Sequence, residues 1–123
     1  AKAWSSWEAR TATLLPNPNL VAHFESPHVA LSLARIENHF FAHDTFMESN
    51  QLLDQAHRLA DIPGVIVHGR YDVVCPLGSA WELHRAWPRS QLRIIPDAGH
   101  SASEPGIRSA LVEAMDHFGS ILG

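Results

Sequence analysis

The chain has 123 residues, of which 46% are apolar, and its formal net charge at pH 7 is −4. This length and apolar content are typical of one globular domain, and the acidic balance disfavours nucleic-acid binding because no basic surface is expected. No apolar run approaches the roughly 20 residues of a membrane-spanning helix, so no membrane partner is expected. The single cysteine, Cys75, excludes an intrachain disulfide and suits a reducing compartment, which makes the cytoplasm the expected location.

The first 60 residues are predicted to be mainly helical. Residues 1–13 suit an amphipathic helix in which Trp4 and Trp7 lie near one face, as the spacing of apolar residues indicates. The segment "LLPNPN" (14–19) is expected to break this helix, because its prolines cannot continue the helical hydrogen bonding.

Two further helices are predicted before residue 61. Pro27 is well placed to open a helix over residues 27–38, since its fixed φ suits the first helical position. The following stretch is expected to hold a turn and then a helix from about Asn50 to Leu59.

The second half of the chain alternates strand and helix. The run "GVIVHG" (64–69) predicts a buried strand, a helix is predicted at about 77–87, and "QLRIIP" (91–96) predicts a second strand. Ser103 then offers an N-cap and Pro105 a first-turn proline for a last helix. The apolar positions of that helix recur at helical spacing and are Ile107, Leu111, Ala114, Met115, Phe118 and Leu122.

The order strand, helix, strand, helix implies a right-handed parallel crossover, which is the unit of α/β sheets. The predicted fold class is therefore α/β. Two parallel strands alone make a poor sheet, because a parallel sheet needs cover on both faces and partners at its edges. We therefore expect the chain to be part of a larger α/β structure.

An aspartate and a histidine follow the two predicted strands. Asp72 comes shortly after the first strand and His100 shortly after the second. Since the carboxyl ends of neighbouring parallel strands meet at one edge of a sheet, we expect the two side chains to lie together. An aspartate that accepts a hydrogen bond from the histidine Nδ1–H would leave Nε2 free as a general base. The alternative is that Asp72 forms a turn and His100 is a solvated loop residue.

Four segments of the sequence carry a resemblance to a known family. They are "WSSWE" (4–8), "ARIENHFF" (34–41), "GRYDVVCP" (69–76) and "AGHS" (98–101). In this order they resemble the proline iminopeptidases (prolyl aminopeptidases), which are α/β-hydrolases. The resemblance extends over essentially all of the chain.

The resemblance implies that the chain is the C-terminal part of an α/β-hydrolase fold, with its last parallel strands and helices, preceded by part of a helical cap. Residues 1–60 would form the cap portion, and residues 61–123 the C-terminal part of the hydrolase core. Asp72 would be the acid and His100 the base of a triad with a serine nucleophile. No cofactor is implied.

The nucleophile of such a triad is not in the sequence. No G-x-S-x-G segment occurs in it, and the resemblance places the serine and the oxyanion-hole loop in an N-terminal portion upstream of Ala1. The expected function is that of the C-terminal portion of a serine aminopeptidase that releases N-terminal proline. The expected partners are peptides with N-terminal proline and the missing N-terminal portion of the same fold. The chain alone is predicted to be inactive, because it lacks the nucleophile and the oxyanion hole.

Glu8 and Glu37 are candidate ligands for the amine of the substrate. An N-terminal proline carries a secondary ammonium with two N–H donors, which carboxylates in an apolar pocket would complement. Both glutamates lie within the resembling segments, and the resemblance implies an amine-binding role for them in preference to Glu25 and Glu48. The alternative is that both are solvated residues on helix surfaces.

Other functions remain open on the sequence alone. Another cap-bearing α/β-hydrolase, such as an esterase or an epoxide hydrolase, would keep Asp72 and His100 but give the two glutamates no task. A non-catalytic fragment that needs a partner chain is a third alternative. His39 and His43 could share a helix face, but without an H-E-x-x-H motif no metal is predicted. Cys75 has no basic neighbour in sequence and is expected to pack rather than react.

Overall fold

The computed structural model describes residues 1–122 of the chain. Gly123 and the side chain of Leu122, the last position of the predicted apolar stripe, lie outside the described residues. Three helices come first, a short irregular segment follows, and a parallel pair of strands with two helices completes the chain. None of the helices within residues 1–122 combines the length and the apolar character needed to cross a bilayer.

The N-terminal helices are α1 (Lys2–Thr11), α2 (Pro18–Phe24) and α3 (Pro27–Phe41), and α1 packs against both others. Helix α2 was not predicted, because the prolines before it were interpreted only as helix breakers. Pro18 instead occupies the first turn of α2, and the Asn17 side chain caps the helix by accepting the Leu20 N–H at 3.0 Å. The predicted helix at 27–38 is confirmed and continues to Phe41.

Helix α1 buries small residues rather than its tryptophans. Ser5 and Ala9 form its buried face, and the Ser5 hydroxyl donates a hydrogen bond to the Phe24 carbonyl at 2.8 Å. Trp4 is 41% exposed and Trp7 is 50% exposed, so the face that they mark is not the buried one. The small residues allow α1 to approach its neighbours closely, and the indoles are left at the surface of the described chain.

The prediction of a single helix from Asn50 to Leu59 is wrong. The structure has a short helix α4 (Gln51–Asp54) and a separate 3₁₀ turn (Ala56–Leu59). Gln55 lies between them with φ −96° and ψ 3°, outside the α-helical region, so the hydrogen-bond ladder is interrupted there. Another 3₁₀ turn (Asp44–Phe46) follows α3, and every residue from 41 to 50 is exposed.

The sheet is a parallel pair. Strand β1 (Gly64–Gly69) matches the prediction and β2 (Ser90–Ile95) is one residue earlier than predicted, with Gly64 opposite Ser90 and Gly69 opposite Ile95. Helix α5 (Leu77–Ala86) connects the strands, and it packs on both of them. The structure is thus a mixed helix and strand fold with a small parallel sheet, as the predicted α/β class requires.

Helix α6 (Pro105–Leu122) also packs on both strands. It begins at Pro105 as predicted, but the residue that directly precedes it is Glu104, so Ser103 is not its N-cap. The hydroxyl groups of Ser103 and Ser101 instead hydrogen-bond to each other at 2.7 Å. Within the predicted apolar stripe Ile107 and Ala114 are buried, whereas Leu111 and Met115 are exposed.

The buried apolar residues of the described chain are nearly all alanines. They are Ala9, Ala12, Ala30, Ala56, Ala80, Ala98, Ile107, Ala110 and Ala114. The large apolar side chains of β1 are only partly covered, contrary to the predicted buried strand, because a two-stranded sheet leaves its faces and edges incompletely packed. A core of alanines supplies little hydrophobic stabilisation, since burial scales with apolar area.

Candidate active site

The loop after β1 holds the Asp72 carboxylate in a defined orientation. Its Oδ1 atom accepts the backbone N–H groups of Val74 at 2.9 Å and Cys75 at 2.8 Å. An aspartate that bonds to the backbone two and three residues ahead forms a local turn of its own, so no second element is needed to orient it. The remaining oxygen, Oδ2, is left to face other groups.

The loops after the two strands touch each other at a pair of glycines. The N–H of Tyr71 donates to the Ala98 carbonyl at 3.0 Å, and the N–H of Arg70 donates to the Ile95 carbonyl at 2.9 Å. A β-carbon at Gly69 would overlap the carbonyl oxygens of Ala98 and Gly99. The absence of a side chain at position 69 is what lets the loops approach.

This approach brings Asp72 and His100 together. The Nδ1 atom of His100 lies 2.9 Å from Oδ2 of Asp72, and because a carboxylate can only accept, Nδ1–H is the donor. The Asp72 side chain is 5% exposed, whereas that of His100 is 38% exposed. In the neutral imidazole this hydrogen bond places the lone pair on Nε2, and such an arrangement can act as a general base toward a hydroxyl group.

The pKa of Asp72 is lowered below its ordinary value. Burial is the largest influence and raises the pKa, but the hydrogen bonds from the Cys75 N–H, from His100 and from the Val74 N–H together outweigh it. Asp72 is therefore an anion at neutral pH and can stabilise a positive charge on the imidazole.

His68 is a third member of this group that the sequence did not single out. Its Nε2 donates to the Cys75 carbonyl at 3.0 Å and lies 3.6 Å from Oδ2 of Asp72. His68 thus fixes the far side of the loop that carries Asp72. The signal that could have found it is that His68 is the only polar residue in the run "GVIVHG".

Glu8 lies within electrostatic reach of this pair. Burial raises the pKa of Glu8, the charge of Glu37 raises it further, and His100 partly offsets both. Burial also raises the pKa of the Cys75 thiol, with the charges of Asp72 and Glu8 adding to the effect. The end of α1 contacts this edge of the sheet directly, because the carbonyl oxygen of Ala12, one turn after Glu8, accepts the His100 N–H at 2.9 Å.

Glu37 lies on α3 and is the second candidate carboxylate beside Glu8. An aromatic side chain orients it through a hydrogen bond. The Nε1–H of Trp4 donates a hydrogen bond to Oε2 of Glu37. The Trp4 ring also lies 5.4 Å from that of Trp7 and 6.4 Å from that of Phe41, measured between ring centroids. Glu37 therefore lies beside the indole of Trp4, which in turn lies close to two further aromatic rings.

Glu25, the weaker amine-binding candidate, is already paired within the chain. Its carboxylate accepts the Ser6 hydroxyl at 2.8 Å and lies 3.5 Å from Lys2 Nζ and 3.9 Å from an Arg10 guanidinium nitrogen. The Ser6 hydrogen bond is the largest influence on the pKa of Glu25 and lowers it; burial raises it, and Lys2 and Arg10 lower it, so that the pKa lies below its ordinary value. Because two cations of the chain already lie near its carboxylate, Glu25 is a weaker candidate for binding the ammonium of a substrate than Glu8 or Glu37.

The histidines that suggested a metal are otherwise engaged. The rings of His39 and His43 lie 4.7 Å apart, and Nδ1–H of His43 donates to the His39 carbonyl at 2.7 Å. Across residues 1–122 no three His, Cys, Asp or Glu side chains are grouped in a way that could hold a metal ion. The raised pKa of Cys75 keeps its thiol protonated, which makes it a poor nucleophile.

The chain is similar in sequence to several proteins that share one name, proline iminopeptidase. No family model matches the chain. A proline iminopeptidase of Xanthomonas citri is 60% identical over 119 residues, which are 96% of this chain and 38% of that protein. One of Xylella fastidiosa (strain 9a5c) is 57% identical over the same shares of both chains. One of Arabidopsis thaliana is 48% identical over 124 positions, which cover all of this chain and 33% of the plant protein.

The chain spans well under half the length of the curated relatives that it matches. The aligned region includes both the helical first part and the strand-containing second part, since it covers at least 96% of the chain. The chain is therefore homologous, over nearly its whole length, to part of the proline iminopeptidases.

Proposed function

We propose that the chain is the C-terminal part of a cytoplasmic proline iminopeptidase, a serine peptidase that releases proline from the N-terminus of peptides. The observation that carries this proposal is the position of Glu8. Glu8 lies one helical turn before Ala12, whose carbonyl oxygen accepts the His100 N–H at 2.9 Å, so a carboxylate that can bind an amine lies on the helix whose end contacts the loop of a candidate general base. In an N-terminal prolyl residue the amine and the scissile carbonyl are separated by a single Cα atom, and the two functions must be neighbours.

The proposed chemistry uses the Asp72–His100 pair with a serine from an N-terminal portion of the same fold. Nε2 of His100 removes the serine proton as the hydroxyl attacks the prolyl carbonyl, and then gives that proton to the departing amine. Asp72 holds the neutral imidazole through Nδ1–H and stabilises the imidazolium that forms. Water then hydrolyses the prolyl-enzyme ester by the same route, and proline leaves.

Recognition of the substrate is assigned to the two glutamates and the rings around them. The secondary ammonium of proline offers two N–H donors, so one hydrogen bond to Glu8 and one to Glu37 would satisfy both. Trp4, which donates to Glu37, and Phe41, whose ring lies 6.4 Å from that of Trp4, would supply flat apolar surface for the pyrrolidine ring. A peptide with a blocked N-terminus would leave the carboxylates without a cation, which penalises its binding.

The proposed organisation is a cap portion at residues 1–60 and the C-terminal part of a hydrolase core at residues 61–123. Two features of the described chain support the need for further strands. Both edges of the two-stranded sheet are without a strand partner within residues 1–122. Large apolar side chains are exposed both on the sheet, as Ile94 is on β2, and on the helix that packs on it, as Val112 is on α6.

The test is substitution of the two glutamates in the complete enzyme. Glu8→Gln and Glu37→Gln should each lower kcat/KM for a proline amide on the order of tenfold to a hundredfold, mainly through KM, because each removes a charged hydrogen-bond partner. Glu25→Gln is the matched control and should leave kcat/KM within about twofold, since Glu25 is paired inside the chain. The assay compares proline amide with N-acetylproline amide.

Three outcomes would contradict the proposal. An unchanged kcat/KM in both variants would remove the glutamates from substrate binding. Hydrolysis of N-acetylproline amide or a simple ester at rates equal to proline amide would instead indicate another cap-bearing hydrolase. Failure of the complete enzyme to hydrolyse any of the three would favour a non-catalytic role.

A further inference from the structure

Glu104 joins two loops that are far apart in sequence. Its Oε1 atom accepts the backbone N–H of Gly99 at 2.7 Å, and its Oε2 atom accepts the backbone N–H of Leu14 at 3.0 Å. Gly99 directly precedes His100, and Leu14 follows the end of α1. One carboxylate thus holds the histidine loop and the segment after α1 together.

A second contact joins the same two loops. The carbonyl oxygen of Ala12 accepts the backbone N–H of His100 at 2.9 Å and that of Ser101 at 2.7 Å. The N–H groups of three consecutive residues, from Gly99 to Ser101, are therefore all bonded either to Glu104 or to the segment after α1. The backbone that carries His100 is fixed relative to the helix that carries Glu8.

The placement of Glu104 argues against an ordinary helix-capping role. Glu104 directly precedes α6, where a carboxylate commonly bonds to the first N–H groups of its own helix. Its side-chain hydrogen bonds go instead to Gly99 and Leu14, which both lie outside α6. A β-carbon at Gly99 would lie 3.1 Å from the Leu14 nitrogen and 3.3 Å from Oε1 of Glu104, so this junction has little spare room.

We infer that Glu104 is a positioning residue for the catalytic histidine. Its carboxylate sets the distance between the His100 imidazole and the amine-binding carboxylate of Glu8 by joining the loop that carries His100 to the segment that follows helix α1. The inference deepens the proposed function and rests on it for the role of His100. Charge-assisted hydrogen bonds to two backbone donors are stronger than neutral ones, which suits a carboxylate to this task.

The experiment uses Glu104→Gln in the complete enzyme, with rates divided by the number of active sites titrated with a serine-directed fluorophosphonate. The amide keeps the length of the side chain but turns a donor toward one of the two N–H groups. We expect kcat per titrated site to fall at least tenfold for both proline amide and 4-nitrophenyl acetate. Glu113→Gln is the control on the same helix, because Glu113 is largely exposed beside Arg93, and its rates should stay within twofold.

The division by titrated sites separates positioning from stability. If Glu104 only stabilised the fold, the variant would have fewer active sites but a wild-type kcat at each one, and that result would overturn the inference. The ester has no amine to bind, so a loss of ester hydrolysis in Glu104→Gln supports positioning even if proline amide proves not to be a substrate.

A measurement that needs no activity completes the test. Amide hydrogen exchange at Gly99 and Leu14 should accelerate at least tenfold in Glu104→Gln and stay unchanged in Glu113→Gln. If both amides exchange in Glu104→Gln at the wild-type rate, the inference is overturned, whichever substrate the enzyme hydrolyses. If exchange accelerates in Glu104→Gln but the wild-type enzyme shows no preference for proline amide, only the proposed function is contradicted.

Discussion

Trp4 shows how one side chain can serve both parts of the proposed amine site. Its ring lies close to that of Phe41, and its N–H donates to the Glu37 carboxylate. The hydrogen bond restricts the carboxylate to one orientation while leaving its second oxygen available to a ligand. Orientation of this kind matters because a misplaced ligand group weakens both binding and catalysis.

Replacing Trp4 with phenylalanine removes the donor and keeps an aromatic ring. We expect Trp4→Phe in the complete enzyme to raise KM for proline amide on the order of threefold to tenfold, the value of one hydrogen bond to a charged group at a partly exposed site. Trp7→Phe is the control, because the Trp7 indole N–H makes no hydrogen bond within residues 1–122. Equal KM values for the two variants would show that the Trp4 donor has no part in binding.

The raised pKa of Glu8 predicts an unusual pH dependence of amine binding. Only the ionised carboxylate attracts an ammonium, and Glu8 takes up a proton at a higher pH than an ordinary glutamate because of burial and the charge of Glu37. Affinity for a non-hydrolysable amine such as prolinol should therefore be full above the raised pKa and fall as the pH drops through it.

Glu37→Gln tests the cause of that shift. It removes one of the two influences that raise the pKa of Glu8, so the pH at which prolinol affinity is half lost should move lower. The inhibition constant of prolinol is measured against pH in the wild-type enzyme and in Glu37→Gln, with Glu25→Gln as the control. A midpoint that is the same in all three would show that Glu37 does not act on Glu8.

At the scale of elements, the junction of the two strand ends depends on Gly69. We expect Gly69→Ala to destabilise the complete enzyme by about 1–3 kcal/mol, because the new methyl group must push away the carbonyl oxygens of Ala98 and Gly99. The displaced loop carries His100, so kcat should fall as well. Unfolding is followed by denaturant titration and kcat by ester hydrolysis.

Gly78→Ala is the matched control. A β-carbon at Gly78 meets no atom within 4 Å, and the residue lies inside α5, where alanine is favoured over glycine by about 0.5–1 kcal/mol. This variant should be as stable as the wild type or more stable, with unchanged kcat. If Gly69→Ala behaved like Gly78→Ala, the contact between the two loops would be of no consequence.

The strands and long helices could be predicted because their signals are local. The run "GVIVHG" fixed β1 to the residue, and Pro27 marked the start of α3. The wrong predictions also concerned local features, but these features depend on the backbone geometry of single residues. Pro18 opens α2 instead of ending α1, and Gln55 interrupts the helical pattern through backbone angles that residue types do not reveal.

The candidate site could be predicted only in part, because most of its contacts join distant positions. Asp72 and His100 were found from their places after two strands, whereas Glu8 and Glu37 came from the family resemblance. The bonds of Glu104 to Leu14 and of Trp4 to Glu37 span 90 and 33 positions, and no periodic pattern encodes them. They depend on packing of helices against loops, which appears only once the fold is known.

At the scale of the whole molecule, the composition of the buried core limits what the chain can do alone. Among the side chains that the structure describes, the buried apolar ones are alanines and Ile107, and the largest that is almost completely buried is that of Ser5. Because stability requires enough buried apolar area to offset the loss of chain entropy, we predict that the isolated 123 residues do not form a stable fold.

This prediction is checked with the chain expressed alone and together with an N-terminal portion of a homologous proline iminopeptidase. Alone, it should show no cooperative thermal unfolding and no release of proline from proline amide. Co-expression should restore both, since the partner would supply strands for the sheet edges and the serine. Cooperative unfolding of the chain alone would contradict the prediction that its core is too small for a stable fold. Peptidase activity of the chain alone would contradict the prediction that it needs a serine from another portion.

The tight junction at Gly69 and Gly99 also has a practical consequence for engineering. There is no room for added residues at Gly69 or Gly99, because the backbones of the two strand-end loops are already in contact there. By contrast, residues 41–50 are all exposed, and the segment includes the left-handed Asn50 at φ 60°. A fluorophore or a purification epitope inserted beside Ser49 would therefore mark the protein without disturbing the hydrogen bond between Asp72 and His100.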